Sequence, residues 1–264
     1  GVLCVELDKA TLDGKDYDLA TVAKMQDAKW KELEKKYEEA KAKKDDFAIP
    51  PDDSQLLKVV PKKAWQKGEG KWHVDAPVNV AGDLVLVPTA FLDKEKVGER
   101  ALFCLDAKTG KELWNAPLSI NPWGGPSVQG DVVVVSGSTI GYDPAALKGA
   151  KGVVAAFDLG TGKQKWKKDL PGGAVSCAAL TKDVAVVTCT DGRVRAYGLA
   201  TGAIRWNYPG GEAFFAPPAI AGDTAYAADL KGVVHAINLK TGASRWKLDL
   251  ATDPEVKAPG MVYA

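Results

Sequence analysis

Metal, redox and acid–base chemistry in this chain has few residues to draw on. There are two histidines, His73 and His235, and four cysteines, Cys4, Cys104, Cys177 and Cys189. A protein zinc site gathers His, Cys and acidic ligands, usually announced by CxxC or HxxxH spacing. Neither spacing occurs and the histidines are far apart, so no metal site is expected. Cys177 and Cys189 fall on adjacent predicted strands with matching parity but a diagonal offset, too far apart for an unstrained disulfide. Cys4 and Cys104 lie in predicted third strands, and all four cysteines read as small buried hydrophobes. His235 also lies in a third strand and reads as a core residue. No phosphate-binding loop, nucleophile elbow or kinase signature is present, so no catalytic residue is assigned.

Composition narrows the field further. The 264 residues are 46% hydrophobic and 26% charged, enough apolar material for a packed core. Lys plus Arg total 35 against 34 Asp plus Glu, a net charge of +1. That balance gives no global field for nucleic acid or anionic lipid. No apolar run approaches the roughly 20 residues of a membrane-spanning helix, and no secretory signal opens the chain. The first residue is Gly1 rather than Met, which reads as a processed, cut or engineered start.

The informative pattern is a repeat. Thr109-Gly110 precedes Trp114, Thr161-Gly162 precedes Trp166, Thr201-Gly202 precedes Trp206, and Thr241-Gly242 precedes Trp246. The tryptophans fall 52, 40 and 40 residues apart. Each Thr-Gly follows an apolar run, and each run follows another that opens with Gly82-Asp83, Gly130-Asp131, Lys182-Asp183 or Gly222-Asp223. Such a unit reads as four short strands. Gly-Asp suits a two-residue hairpin, and Asp-x-x-Thr-Gly suits a longer turn with an Asp cap and a left-handed Gly. Gly198 and Asn238 replace that Asp in the last two units. The Trp then lies on the fourth strand as a wedge between neighbouring sheets, burying on the order of 150–250 Å².

Four-stranded units of about 40–45 residues mark a β-propeller blade. The segment from Gly232 to Trp246 (GVVHAINLKTGASRW) resembles the PQQ-like repeat, and the likeness extends from Trp72 through Leu250. That family includes quinoprotein dehydrogenases and the propeller lipoproteins of outer-membrane assembly. The resemblance implies an all-β propeller of four-stranded antiparallel blades: four full blades plus partial terminal ones. Residues 1–264 form one propeller domain or a fragment of a larger ring. The segment Gly1 to Thr11 reads as a third strand and its turn, with the fourth strand returning at Lys63 to Gln66. Ala258 to Met261 reads as the first strand of another blade.

Residues 12–62 interrupt the repeat. Asp18 to about Lys44 contains no Gly or Pro, and Leu19, Val22, Trp30, Leu33, Tyr37 and Ala40 approximate a helical stripe that thins at Gln26. This predicts one long helix outside the propeller, with Asp18 as N-cap and Glu32–Lys36 and Glu39–Lys43 pairs. Trp30, Leu33 and Tyr37 are candidate partner contacts, as is an exposed Phe214-Phe215 pair ahead of a first strand.

By resemblance, the dehydrogenases of the family need eight blades, a Trp platform for the quinone, a vicinal Cys-Cys disulfide and a calcium. No two cysteines here are adjacent. Trp123, at the mouth of a blade, and Asp143, on a long loop of the same blade, are the candidates for a quinone and a cation. We therefore expect no enzyme and no cofactor, but a scaffold for protein partners in a bacterial envelope or membrane-associated assembly. Membrane association would be indirect, and the open terminal blades could pair with another chain. The alternatives are a fragment of a PQQ-dependent dehydrogenase and the propeller of a larger coat-like or multidomain protein. The family resemblance alone favours envelope or periplasm.

Overall fold

A computed structural model describes residues 1–45, 47–140 and 149–252. The chain divides into two compact units, one of residues 3–67 and one of residues 1–2 with 68–264.

In the smaller unit, β1 (Val2–Leu12) sits between β2 (Lys15–Asp18) and β3 (Val60–Lys67). β1 and β3 are the expected third and fourth strands, but β1 does not turn by Thr11. It runs on to Leu12 and forms a hairpin with β2 through Asp13 and Gly14, both at positive φ (50° and 77°). Asp-Gly is a strong two-residue hairpin signal, so the insertion opens with a strand of its own. Lys62 ties the three strands together, reaching Asp16 at 2.8 Å and Glu6 at 3.4 Å.

Helix α1 (Leu19–Ala42) follows, about 36 Å long at ~1.5 Å per residue. Asp18 caps it, accepting from the Thr21 N–H at 2.8 Å. Its less exposed stripe runs through Val22, Gln26, Trp30, Leu33, Tyr37 and Ala40. Gln26 belongs there because its amide pairs both ways with the Leu57 backbone, at 2.8 and 2.9 Å. Glu32 pairs with Lys36 as expected, whereas Glu39 pairs with Lys35 rather than Lys43. Lys43 is the C-cap, where the chain leaves helical geometry.

The larger unit holds four antiparallel sheets of four strands, the four full blades read from the repeat. Blade one is β4 (Asn79–Ala81), β5 (Leu84–Leu92), β6 (Val97–Asp106) and β7 (Glu112–Pro117). Blade two is β8 (Pro122–Gln129), β9 (Val132–Ser138), β10 (Gly152–Asp158) and β11 (Gln164–Leu170). Blade three is β12 (Ala179–Leu180), β13 (Val184–Cys189), β14 (Arg193–Gly198) and β15 (Ile204–Pro209). Blade four is β16 (Ala219–Ala221), β17 (Thr224–Ala228), β18 (Val233–Asn238) and β19 (Ser244–Asp249). The expected opening strand at 258–261 lies outside the described residues.

The core lies between successive sheets. Leu86, Leu102 and Cys104 of blade one pack with Val133, Val135, Ala155 and Phe157 of blade two, and the pattern continues across the next two interfaces. The tryptophans supply the repeated lock. The indole N–H groups of Trp114, Trp166 and Trp206 donate to the carbonyls of Leu159, Leu199 and Leu239 in the following blade, at 2.8–2.9 Å. Each ring lies against the turn glycine of that blade, so close that a Cβ at Gly162, Gly202 or Gly242 would stand 2.4–2.6 Å from it. These glycines also hold φ of +66° to +73°, so both space and conformation require Gly.

A bulge aims the ring. In every full blade the register between third and fourth strands slips by one residue just before the Trp, so that Leu113, Lys165, Arg205 and Arg245 have no residue opposite them on the third strand. Bulges of this kind bend a strand and redirect the next side chain. Trp246 is 47% exposed, as no described sheet follows it.

Candidate functional site

The strand order sorts the loops of the blades into two rims. Turns joining strands one to two and three to four lie at one rim, where the Trp–Gly locks sit. Those joining two to three, and four to the next blade's first strand, lie at the other. The first rim is uniform. Gly110, Gly162, Gly202 and Gly242 each return an N–H to the carbonyl four residues back, at 2.8–2.9 Å. Asp106 and Asp158 add side-chain caps to the Thr109 and Thr161 N–H groups, as does Asn238 to Thr241. At Gly198 the backbone bond alone suffices.

The second rim differs from blade to blade. In blade one, β5 and β6 have 9 and 10 residues, against 5 to 7 for their counterparts, so their hairpin stands above the rim. Asn121, just before β8, fastens this hairpin to blade two. Its amide accepts from the Phe91 N–H and donates to the Phe91 carbonyl, each at 3.0 Å, as a neighbouring strand would. The same Oδ1 accepts from Arg100 Nε at 2.9 Å. Arg100 lies over the Phe91 ring at 5.5 Å and reaches Asp93 at 3.0 Å through Nη2.

Hairpin and rim enclose a groove of about 980 Å³. Its lining includes Trp123, Ile120, Pro122, Arg100, His73 and Asp75. The His73 Nε2 and Asp75 Oδ1 atoms stand 2.6 Å apart, each side chain about 30% exposed. Trp123 is half-buried, so the structure does bring this candidate to a concave surface. Asp143 lies outside the described residues.

The other expected contacts divide. Phe214 is fully buried in the core between blades three and four, with its ring edge-on to His235 at 5.4 Å, and is therefore no surface contact. Gly210 makes room for that ring. Phe215 is half-buried, as are Trp30, Leu33 and Tyr37 on α1. Trp30 donates to Glu34 at 2.8 Å, and Lys41 lies 5.2 Å above the Tyr37 ring.

Two buried polar clusters on this rim are not readable from spacing. Arg195 forks onto Asp191 through Nη1 and Nη2, each donating to one carboxylate oxygen. Burial opposes ionisation of Asp191, but the Arg195 hydrogen bonds and charge outweigh it and keep the carboxyl below its ordinary range. His235 is held between Tyr208 and Asp229 and is core, as expected. An Asp or Tyr elsewhere in a blade points to neither partner until the turns are folded.

Cys104 and Cys189 are buried as expected, and burial pushes both thiols up to about 11. Cys4 and Cys177 depart from expectation, being only partly buried, because Cys4 sits on the half-covered β1 and Cys177 precedes β12 rather than lying in it. Among the described residues no three His, Cys, Asp or Glu side chains gather as metal ligands, and no helix is long and apolar enough to cross a membrane.

Four blades joined by indole-to-glycine locks define a β-propeller of PQQ-like repeats. The family described as outer membrane protein assembly factor BamB matches residues 59–214 and 150–261, and the chain belongs to that family. Its fold is similar to that of BamB from Moraxella catarrhalis, with TM-score 0.53 and 21% identity over 70% of this chain and 52% of that one. A europium-containing methanol dehydrogenase gives TM-score 0.53 at 15% identity, covering 74% of this chain and 46% of the enzyme. The quinohemoprotein alcohol dehydrogenase ADH IIB of Pseudomonas putida is 39% identical over 77 residues, 28% of this chain. The chain spans about a tenth of the length of the curated relatives it matches and about half of BamB. At such identity the structural likeness establishes fold alone.

Proposed function

We propose that the chain is a non-enzymatic scaffold whose propeller captures protein partners in a bacterial envelope assembly. The observation that carries this reading is the groove beside Trp123, with its far wall fastened by Asn121. A rigid rim loses little conformational freedom when a partner binds, which favours recognition at this end of the blades. Membership of the assembly-factor family supports the same reading. A photo-crosslinking residue at Trp123, compared in bacterial cells with one at exposed Lys108 on the opposite rim, tests it. Discrete protein adducts from position 123 alone are expected, and adducts from neither position would overturn the scaffold reading.

The 39% identity to a quinohemoprotein alcohol dehydrogenase favours a second reading, a quinoprotein fragment. Purified protein given PQQ, calcium, an alcohol and a dye acceptor decides between them. The scaffold reading expects no dye reduction, and turnover would replace it with the enzyme.

A further inference from the structure

We infer that the groove between the β5–β6 hairpin and β8 receives an extended peptide in which an acidic side chain neighbours an apolar one. The carboxylate docks on Arg100, and the apolar side chain lies against Trp123 and Ile120. This rests on the scaffold reading and names the chemistry of the partner.

Arg100 is built as an anchor. Asn121 holds its Nε, the Phe91 ring supports its face, and Asp93 takes Nη2. Among the described residues Nη1 has no hydrogen-bond partner, so one arm of the fork is open. The internal partner is weakly held, since the Asp93 side chain is 70% exposed at the hairpin tip. An exposed ion pair of this kind contributes little. A ligand carboxylate can take Nη1 and Nη2 together, a bidentate geometry stronger than the single bond it replaces.

The lining carries Asp75, Asp93 and Glu95 beside Lys94 and Arg100, so the open guanidinium donor, and not an overall positive charge, selects an acidic ligand. Asp75 stands beside His73, and Asp93 lies on Arg100. Asp75 and Asp93 each have a basic partner, whereas the guanidinium retains a donor. The apolar residues Ile120, Pro122 and Trp123 lie along the same lining. A volume of about 980 Å³ is at the top of the ~300–1,000 Å³ range of ligand pockets, large enough for several peptide residues.

The test uses blocked hexapeptides alternating Asp and Leu, with Asn-Leu and Lys-Leu comparators, titrated into the intact chain. The Arg100 Nε–H and Trp123 indole resonances are followed by NMR. An Asn-Leu peptide with a free C-terminus separates a terminal carboxylate from a side-chain one. Saturable shifts with the Asp-Leu peptide are expected, about tenfold weaker binding in R100Q, and tighter binding in D93N, where the internal competitor is gone. A merely structural Arg100 would not make D93N bind better. Equal binding of the Lys-Leu peptide, preference for the free C-terminus, or no gain in D93N would overturn the inference. Crosslinks from position 123 that persist in R100Q would sink this inference alone, while their absence in the unmodified chain would sink the scaffold reading.

Discussion

The Tyr208 hydroxyl stands 3.0 Å from His235 Nδ1, and the opposite ring nitrogen stands 3.1 Å from Asp229 Oδ2. This pair of contacts sets the state of a fully buried imidazole. The Nε2–H donates to Asp229, whose other oxygen accepts from the Lys231 and Val233 N–H groups. Nδ1 then accepts from the Tyr208 hydroxyl, so the neutral ring is satisfied on both sides. Burial lowers the His235 pKa, and the hydrogen bond and charge of Asp229 only partly offset it.

Stability should therefore fall with acid. The unfolded chain takes up its proton near the ordinary value of 6.5, and the folded chain only below that. The His235 contribution is complete above 6.5 and declines as pH drops from there toward the lowered folded value. Urea midpoints measured from pH 7.5 to 5.5 should decrease, with a shallower decrease in H235Q. Y208F should fold, lose about 1 kcal/mol, and raise the His235 pKa seen by NMR. Equal slopes in the parent and H235Q would show that His235 is not the titrating group.

Disrupting the Trp166 lock should cost more than disrupting a solvent-facing turn of similar backbone geometry. G202A places a Cβ 2.6 Å from the Trp166 ring at φ +66°, whereas G130A meets nothing within 4 Å at φ +60°. Thermal unfolding should show G202A less stable than G130A by about 2 kcal/mol or more, the scale of an overpacked core. Equal losses would mean that the indole does not rest on the glycine.

Removing one member of the Arg195–Asp191 pair should be worse than removing both. Their side chains are 7% and 18% exposed, so D191A leaves a largely buried guanidinium uncompensated, at a cost of about 3 kcal/mol. The double variant D191A/R195M should recover part of that loss in denaturant titrations. Strictly additive losses would count against the pair. Because the Asp191 pKa is lowered, its contribution is present above the ordinary 3.8 and is lost as pH falls through the folded value.

Thiol reactivity should separate the four cysteines. At pH 8, Cys104 and Cys189, with pKa values pushed up to about 11, should resist an aromatic disulfide reagent until the chain unfolds. Cys4 and Cys177 should react first, as read by mass spectrometry of trapped peptides. Rapid labelling of Cys189 in the native state would contradict its burial.

Much of the blade was legible because it depends on local chemistry repeated four times. A Gly at positive φ, an Asp or Asn cap and a Trp at fixed distance give the same turn wherever they recur, and they place Trp114, Trp166 and Trp206 correctly. The Asp13-Gly14 hairpin was equally local, yet the surrounding helical composition obscured it. Phe214 shows the opposite case. Two adjacent phenylalanines before a proline pair read as an exposed contact, but Gly210 and His235 open a cavity for one of them.

The sequence alone determined the blade and its interval, since backbone conformation at glycine and the burial of a large indole are decided within about 40 residues. Tertiary structure decided which rim carries a groove, because Asn121, Phe91 and Arg100 meet only after two sheets pack. It also decided where charge is buried, since desolvation depends on neighbours from other strands rather than on residue type.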